Sequence, residues 1–174
     1  MKGLMVGLLS FTVLLVPSFA RAQNPLMAAV KAQHDAIKGN LLKTAEMLPE
    51  SLYAFKATPD VRSIGQLIGH VADASMNICA TASGEKVTPI NAEKSMTAKA
   101  QLSKALADAL AFCDNIIAGM TDAKAMETVK FFAGGMSPRA MVIAFNTAHS
   151  NEHYGNLVTY MRLNKIVPPS SGGK

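Results

Sequence analysis

Residues 137–164 read SPRAMVIAFNTAHSNEHYGNLVTYMRLN. Ser137-Pro138 is a capping residue followed by proline, which predicts a helix with Pro138 at its first position, running to about Asn164 before Pro168-Pro169. At about 100° per residue, Val142, Phe145, Asn146, His149, His153, Asn156, Tyr160 and Leu163 fall on one stripe. Its ends are apolar and its middle is polar. A solvated face would not carry Val, Phe and Leu at its ends, and a purely structural stripe would not place four polar residues at its centre. The pattern fits a polar site set into a helical bundle, where buried polar groups need partners.

Outward from this segment, three more stretches have helical character. The first runs from about Pro25, suited to a helix start, to Met47, where Leu48-Pro49 ends it. The second runs from Ser63, an N-cap, to Ser83, with Gly84 as the stop. The third runs from near Thr97 to Gly119. The chain has 11 Met and no Trp, is rich in Ala and Leu, and contains almost no alternating apolar run, which argues for helix and against sheet. Four helices of roughly 20–27 residues, each about 30–40 Å long, predict an all-α four-helix bundle. The connections 49–62, 84–96 and 120–136 are longer than tight hairpins need. A crossover uses such length, so an up-down-up-down order does not follow.

The first residues read as an address. Lys2 precedes the apolar run Leu4 to Val16, and Pro17 and Ala20-Arg21-Ala22 follow, with small residues where a signal peptidase inspects the chain. Thirteen residues at about 1.5 Å each reach roughly 20 Å, short of the roughly 30 Å hydrocarbon core. The expectation is a signal peptide over 1–22, a folded domain over 23–167 and a flexible tail over 168–174, in a periplasmic or secreted protein with no membrane segment after cleavage. Without Lys2 and Arg21, the 17 basic residues become 15 against 12 acidic ones, a formal charge of +3. The remaining Lys and Arg are scattered and do not alternate with aromatics, so nucleic acid is not an expected partner.

Only four histidines occur in the chain. His149 and His153, four apart on one helix, sit a turn apart on the same face and can converge on one ion. The segment also matches His-x-x-Glu-His, the inverted zinc-peptidase motif in which Glu152 would be the base. Such peptidases take a further acidic ligand downstream, and no Asp, Glu or His follows His153. Glu152 is left as a base, a neighbour of the ion or a surface residue. The third ligand must come from upstream, from His70 or His34. His70 lies at the edge of the apolar stripe Ile64, Leu67, Val71, Ile78 and Ala82. His34 adjoins Asp35 between Lys31 and Lys38, which reads as a solvated face, so His70 is preferred. Three neutral imidazoles leave positions open for water or substrate. The donor set suits Zn, Ni, Fe or Co. Met76, Met120, Met136, Met141 and Met161 are expected to fill the core, and Arg139 and Arg162 to face solvent. Cys79 and Cys113 are either a disulfide or two small core residues.

Gly69-His70-Val71-Ala72-Asp73, together with the run from Ala148 to Leu157 and on through Tyr160-Met161-Arg162-Leu163 to Pro168-Pro169, resembles the DinB-like metalloprotein family. Met47-Leu48-Pro49-Glu50 and the stretch from Phe55 to Arg62 are similar to its connection between helices one and two. The resemblance spans nearly all of the chain after residue 22. It implies an up-down-down-up bundle and a metal site of His70, His149 and His153. In that order Cys79 and Cys113, each sixteen residues past its helix start, stand level and can be bridged; in the antiparallel order they cannot. The resemblance also implies thiol-dependent transferases or isomerases among the relatives. The resulting expectation is an exported metal-dependent enzyme, a hydrolase or thiol-type transferase acting on a small molecule, in which Glu152, Asn156 or Tyr160 assists. The alternative is a non-catalytic metal- or ligand-binding bundle. A homodimer is left open.

Overall fold

The computed structural model describes residues 24–132 and 135–172; the signal peptide expected over 1–22 lies outside the described residues. Four long helices carry the fold: α1 (Pro25–Met47), α2 (Ile64–Ser83), α4 (Lys99–Ala118) and α6 (Arg139–Leu163). The short helices α3 (Ala92–Ser95) and α5 (Asp122–Ala125) lie in the connections, with a hairpin of β1 (Thr128–Phe131) and β2 (Gly135–Pro138). Among the described residues no helix is long and apolar enough to cross a membrane.

Local chemistry sets the helix ends. Ser63 closes a reciprocal box at the start of α2: its hydroxyl accepts from the Gln66 N–H at 3.2 Å, and the Gln66 side chain accepts from the Ser63 N–H at 2.9 Å. Gly84 ends the helix at φ +84°, a conformation glycine adopts without steric cost. Pro25 opens α1 at a position whose missing N–H has no helical partner to lose.

The helix directions follow from paired contacts. Gly65 faces Leu102, and Cys79 is joined to Cys113, so α2 and α4 run parallel. Lys38 meets Asp114 while Lys99 reaches the Leu48 carbonyl, so α1 and α4 run antiparallel. His70 meets His149 and Arg139 reaches the Ala82 carbonyl, so α2 and α6 are antiparallel too. The order is up-down-down-up. The long connection after α2 is therefore the crossover that returns the chain along the bundle, and α3 lies within it. The Cys79–Cys113 disulfide, with Cα atoms 5.4 Å apart, joins the two parallel helices at one level.

The core has two apolar clusters with a polar belt between them. One holds Ile37, Leu41, Ile68, Val71, Leu106, Leu110, Leu157 and Met161; the other holds Met27, Ile78, Cys79, Cys113, Ile117, Val142 and Ile143. Buried between them along the helices are His34, Ser75, Asn146, Ser150 and His153. This belt sets the height of the functional site.

Three local expectations are corrected. Ser137 and Pro138 do not open α6. They pair with Val129 and Thr128 in the hairpin, Pro138 is extended at ψ 142°, and the helix begins at Arg139. Met136 and Met141 are 65% and 61% exposed and do not fill the core: Met136 lies on β2, and Met141 on the outward face of the first turn of α6. Arg139 is only 12% exposed; its guanidinium donates to the Ala82 carbonyl at 2.5 Å and lies 3.4 Å from Glu127, so it closes the free end of α2.

Candidate metal centre

α2 contributes His70 and α6 contributes His149 and His153. The four-residue spacing on α6 puts two imidazoles one turn apart on the face turned toward α2. The His70 and His149 Nε2 atoms are 3.2 Å apart, and those of His153 and His149 are 3.1 Å apart. One nitrogen from each of the three lies within 4.8 Å of the others. Two imidazole nitrogens each about 2.0–2.1 Å from a tetrahedral ion stand about 3.3 Å apart, so the spacing fits a shared divalent metal. All three expected ligands are thus brought together. His70 is 23% exposed at the side chain and His153 is buried, so the cluster lies in the bundle wall with one side toward solvent.

Protonation favours the same use. Burial pushes the His149 imidazole below its ordinary value, with His70 adding to the effect. Burial also lowers His153, reinforced by His149 and His70, to about 4. Both are neutral near pH 7 and offer lone pairs.

The tautomer of His70 is set by a residue that sequence reasoning missed. Glu93, on α3, accepts the Nδ1–H of His70 at 2.8 Å, which leaves the Nε2 lone pair facing the cluster. Burial pushes the Glu93 carboxyl up, and hydrogen bonds from Arg62 and His70 more than offset it, leaving it below its ordinary value. Arg62 donates from Nε to the other carboxylate oxygen at 2.8 Å. Its own carbonyl accepts from the Tyr160 hydroxyl at 3.0 Å, tying α6 to the loop before α2.

Glu93 arrives through the crossover. Asp73, one turn below His70 on α2, accepts from the Ala92 and Glu93 N–H groups at 2.8 and 3.0 Å, holding the start of α3 against α2. Gly69 makes room: a Cβ there would stand 2.7 Å from the Glu93 nitrogen. Gly69 and Asp73 flank His70 in sequence and were visible signals. Their partner, 23 residues from His70 in a connection, was not.

The remaining candidates separate. Glu152 is exposed on α6 and is not among the converging groups. Asn156 lies 3.5 Å from Nδ1 of His153. With Arg62, Glu93 and Tyr160 it lines an open cleft of about 440 Å³. His34 is not on a solvated face: it is 1% exposed, with Nε2 3.1 Å from Asp114 on α4. Lys31 and Lys38, which made its surroundings read as solvated, lie at the rim and pair with Asp35 and Asp114.

The sequence profile of the DinB superfamily matches residues 33–157. Among solved structures, the chain is similar to a DinB-like protein from Bacillus cereus, with a TM-score of 0.68 and 16% identity over 79% of this chain and 92% of that one. A conserved protein from Enterococcus faecalis gives 0.64 and 15%, covering 79% and 95%. A mycothiol-dependent maleylpyruvate isomerase gives 0.61 and 14%, and the match spans 75% of this chain and 60% of the isomerase. At these identities the likeness is one of fold. No curated protein sequence matches the chain.

Proposed function

This chain belongs to the DinB superfamily, and from that premise we propose that it is an exported enzyme that holds a divalent metal at His70, His149 and His153 and acts on a small molecule. The observation that carries the proposal is the convergence of three imidazole nitrogens, one of them oriented by Glu93. No fourth protein donor joins them among the described residues, whereas a closed structural site uses four. This favours an open, reactive centre over a purely structural one.

A divalent ion bound there supplies Lewis-acid polarisation, which makes water or a thiol nucleophilic near neutral pH. The chain's own residues do the rest. Glu93 keeps the His70 proton on Nδ1 and Arg62 holds that carboxylate in place. Asn156 and Tyr160 line the adjoining cleft, where a substrate is positioned beside the histidines. Hydrolysis and thiol-type group transfer are the two reaction classes that this arrangement supports. The fold likeness to an enzyme named for mycothiol dependence supports the second. The Cys79–Cys113 disulfide supports export, since such bridges persist in oxidising compartments.

Elemental analysis of the purified protein and of His153→Ala tests the reading. About one metal per chain in the parent and a near-complete loss in the variant is the expected result. Equal metal content in the two proteins would overturn it.

A further inference from the structure

On the side of the histidines away from Arg62, aromatic rings take over from polar groups, beginning with Phe145 one turn before His149 on α6. Phe131, Phe132, Phe145 and His149 form an unbroken run of ring contacts. Phe131 meets Phe132 at 4.6 Å and Phe145 at 5.1 Å, Phe132 meets Phe145 edge-on at 5.9 Å, and Phe145 lies within 19° of parallel to His149 at 6.3 Å. Phe131 is buried, but Phe132 is 82% exposed, with Met136 and Met141 exposed nearby in sequence. A scattered exposed apolar residue needs no explanation; this one is held in place. Phe132 directly follows β1, whose pairing of Phe131 with Gly135 closes the hairpin, and buried Phe131 anchors that hairpin to the core. Besides adding Phe131 to the second apolar cluster, the hairpin presents an aromatic surface that starts at a candidate metal ligand and runs outward.

We infer that Phe132 and Phe145 form the apolar subsite of the metal centre, receiving an aromatic or branched apolar group of a substrate whose reacting atoms sit at the three histidines. The inference rests on the metal-centre reading. Its polar counterpart is the cleft of Arg62, Asn156 and Tyr160 on the other side of the histidines, so the preferred substrate has one polar and one apolar end. The surface is too small for a stable interface between copies: a few exposed side chains, with charged Glu127, Lys130 and Arg139 close by in sequence, against the 20–30 residues a side that such an interface uses.

Two metal-binding probes that differ only in their apolar part test this. Cobalt-loaded protein is titrated with acetohydroxamate and benzohydroxamate, following the visible absorption of the metal, after metal content has been measured. Benzohydroxamate is expected to bind about tenfold tighter, the gain of burying one phenyl group against two rings. In Phe132→Ser, at an exposed position where folding is not at risk, that ratio collapses toward one while acetohydroxamate binding is unchanged. Phe145→Leu reduces it in the same way. A ratio near one in the parent, or a tenfold ratio retained in Phe132→Ser, overturns the inference and leaves the metal reading standing. Failure of the parent to bind cobalt defeats the metal reading and this inference with it. If the parent sediments as a dimer, and Phe132→Ser makes it monomeric without changing the ratio, the surface belongs to a second copy and the inference fails.

Discussion

Two histidine regions lie at nearly the same height in this bundle, in the polar belt between its apolar clusters, and they serve different ends. At the α2–α6 seam, His70, His149 and His153 turn one nitrogen each toward a common point. At the α1–α4 seam, His34 turns Nε2 to Asp114 and is sealed from solvent. The residue type is alike, but His34 is sealed while the cluster keeps one side toward solvent, and the partners differ. A histidine given a carboxylate and no converging neighbours is a tie between helices. Three histidines given one another, with a carboxylate behind one of them, hold their lone pairs free for an ion. In both regions the carboxylate comes from another helix, so the tertiary partner decides the role.

The comparison breaks most sharply if the two regions are substituted separately. His149→Ala is expected to weaken zinc binding by more than about a hundredfold, beyond the range of losses from outer partners, with little change in the stability of the metal-free protein. His34→Ala is expected to leave zinc binding intact and to cost about 2–4 kcal/mol of stability, from the cavity and from Asp114 losing a buried partner. Competitive chelator titration and denaturant unfolding read the two effects. Zinc binding that fell with His34→Ala as it does with His149→Ala would erase the distinction.

The Cys79–Cys113 bridge sharpens it from another side. The bridge joins α2 to α4 across a sequence separation of 34, and chain-entropy arguments put its contribution at about 3–4 kcal/mol. Calorimetry with and without a reductant should show a clear drop in Tm, while zinc binding at temperatures where the protein stays folded is retained. Loss of zinc on reduction would tie the site to the bridge.

A smaller effect separates the two carboxylates. Glu93→Gln removes the acceptor that fixes the His70 tautomer and is expected to reduce zinc affinity about 10- to 100-fold with a minor stability change. Asp114→Asn should leave zinc affinity unchanged. Equal zinc affinity in Glu93→Gln and the parent would show that the tautomer is held by something else.

The smallest effect is in pH. Burial holds the His34 imidazole below its ordinary 6.5, overcoming the pull of Asp114, while Lys38 lowers it further and Asp35 raises it. Because the folded value lies below the unfolded one, the unfolded chain takes up the proton first as pH falls. The contribution to stability is complete above pH 6.5 and is lost as pH falls from 6.5 toward the folded value. The slope for one proton is at most about 1.4 kcal/mol per pH unit. Metal-free His34→Gln should therefore lose stability less steeply than the parent between pH 7 and 5 in urea unfolding. His149 and His153, lowered in the same direction, keep part of the slope. An unchanged slope would mean that His34 is not held neutral.

Much of this was legible in the chain because it depends on nearest neighbours. Pro25, the Ser63–Gln66 box and Gly84 mark helix ends within a turn of themselves, and the four-residue step from His149 to His153 fixes their shared face wherever the helix lies. The hairpin was missed because its strands are four residues each, too short for alternation to register against the surrounding helical pattern. His34 was misread because its local neighbours are lysines and an aspartate, and its partner Asp114 is 80 positions away.

The sequence by itself determined four long helices, most of their ends, and a histidine pair facing the bundle. Only the tertiary structure decided that His70 meets that pair across 79 residues, that Glu93 reaches His70 from the crossover past Gly69, and that His34 is closed off with Asp114. The reason is physical. Helical periodicity is a local property that tells which side chains share a face, while the partner of a face depends on helix order and direction, which are set by packing the whole core at once.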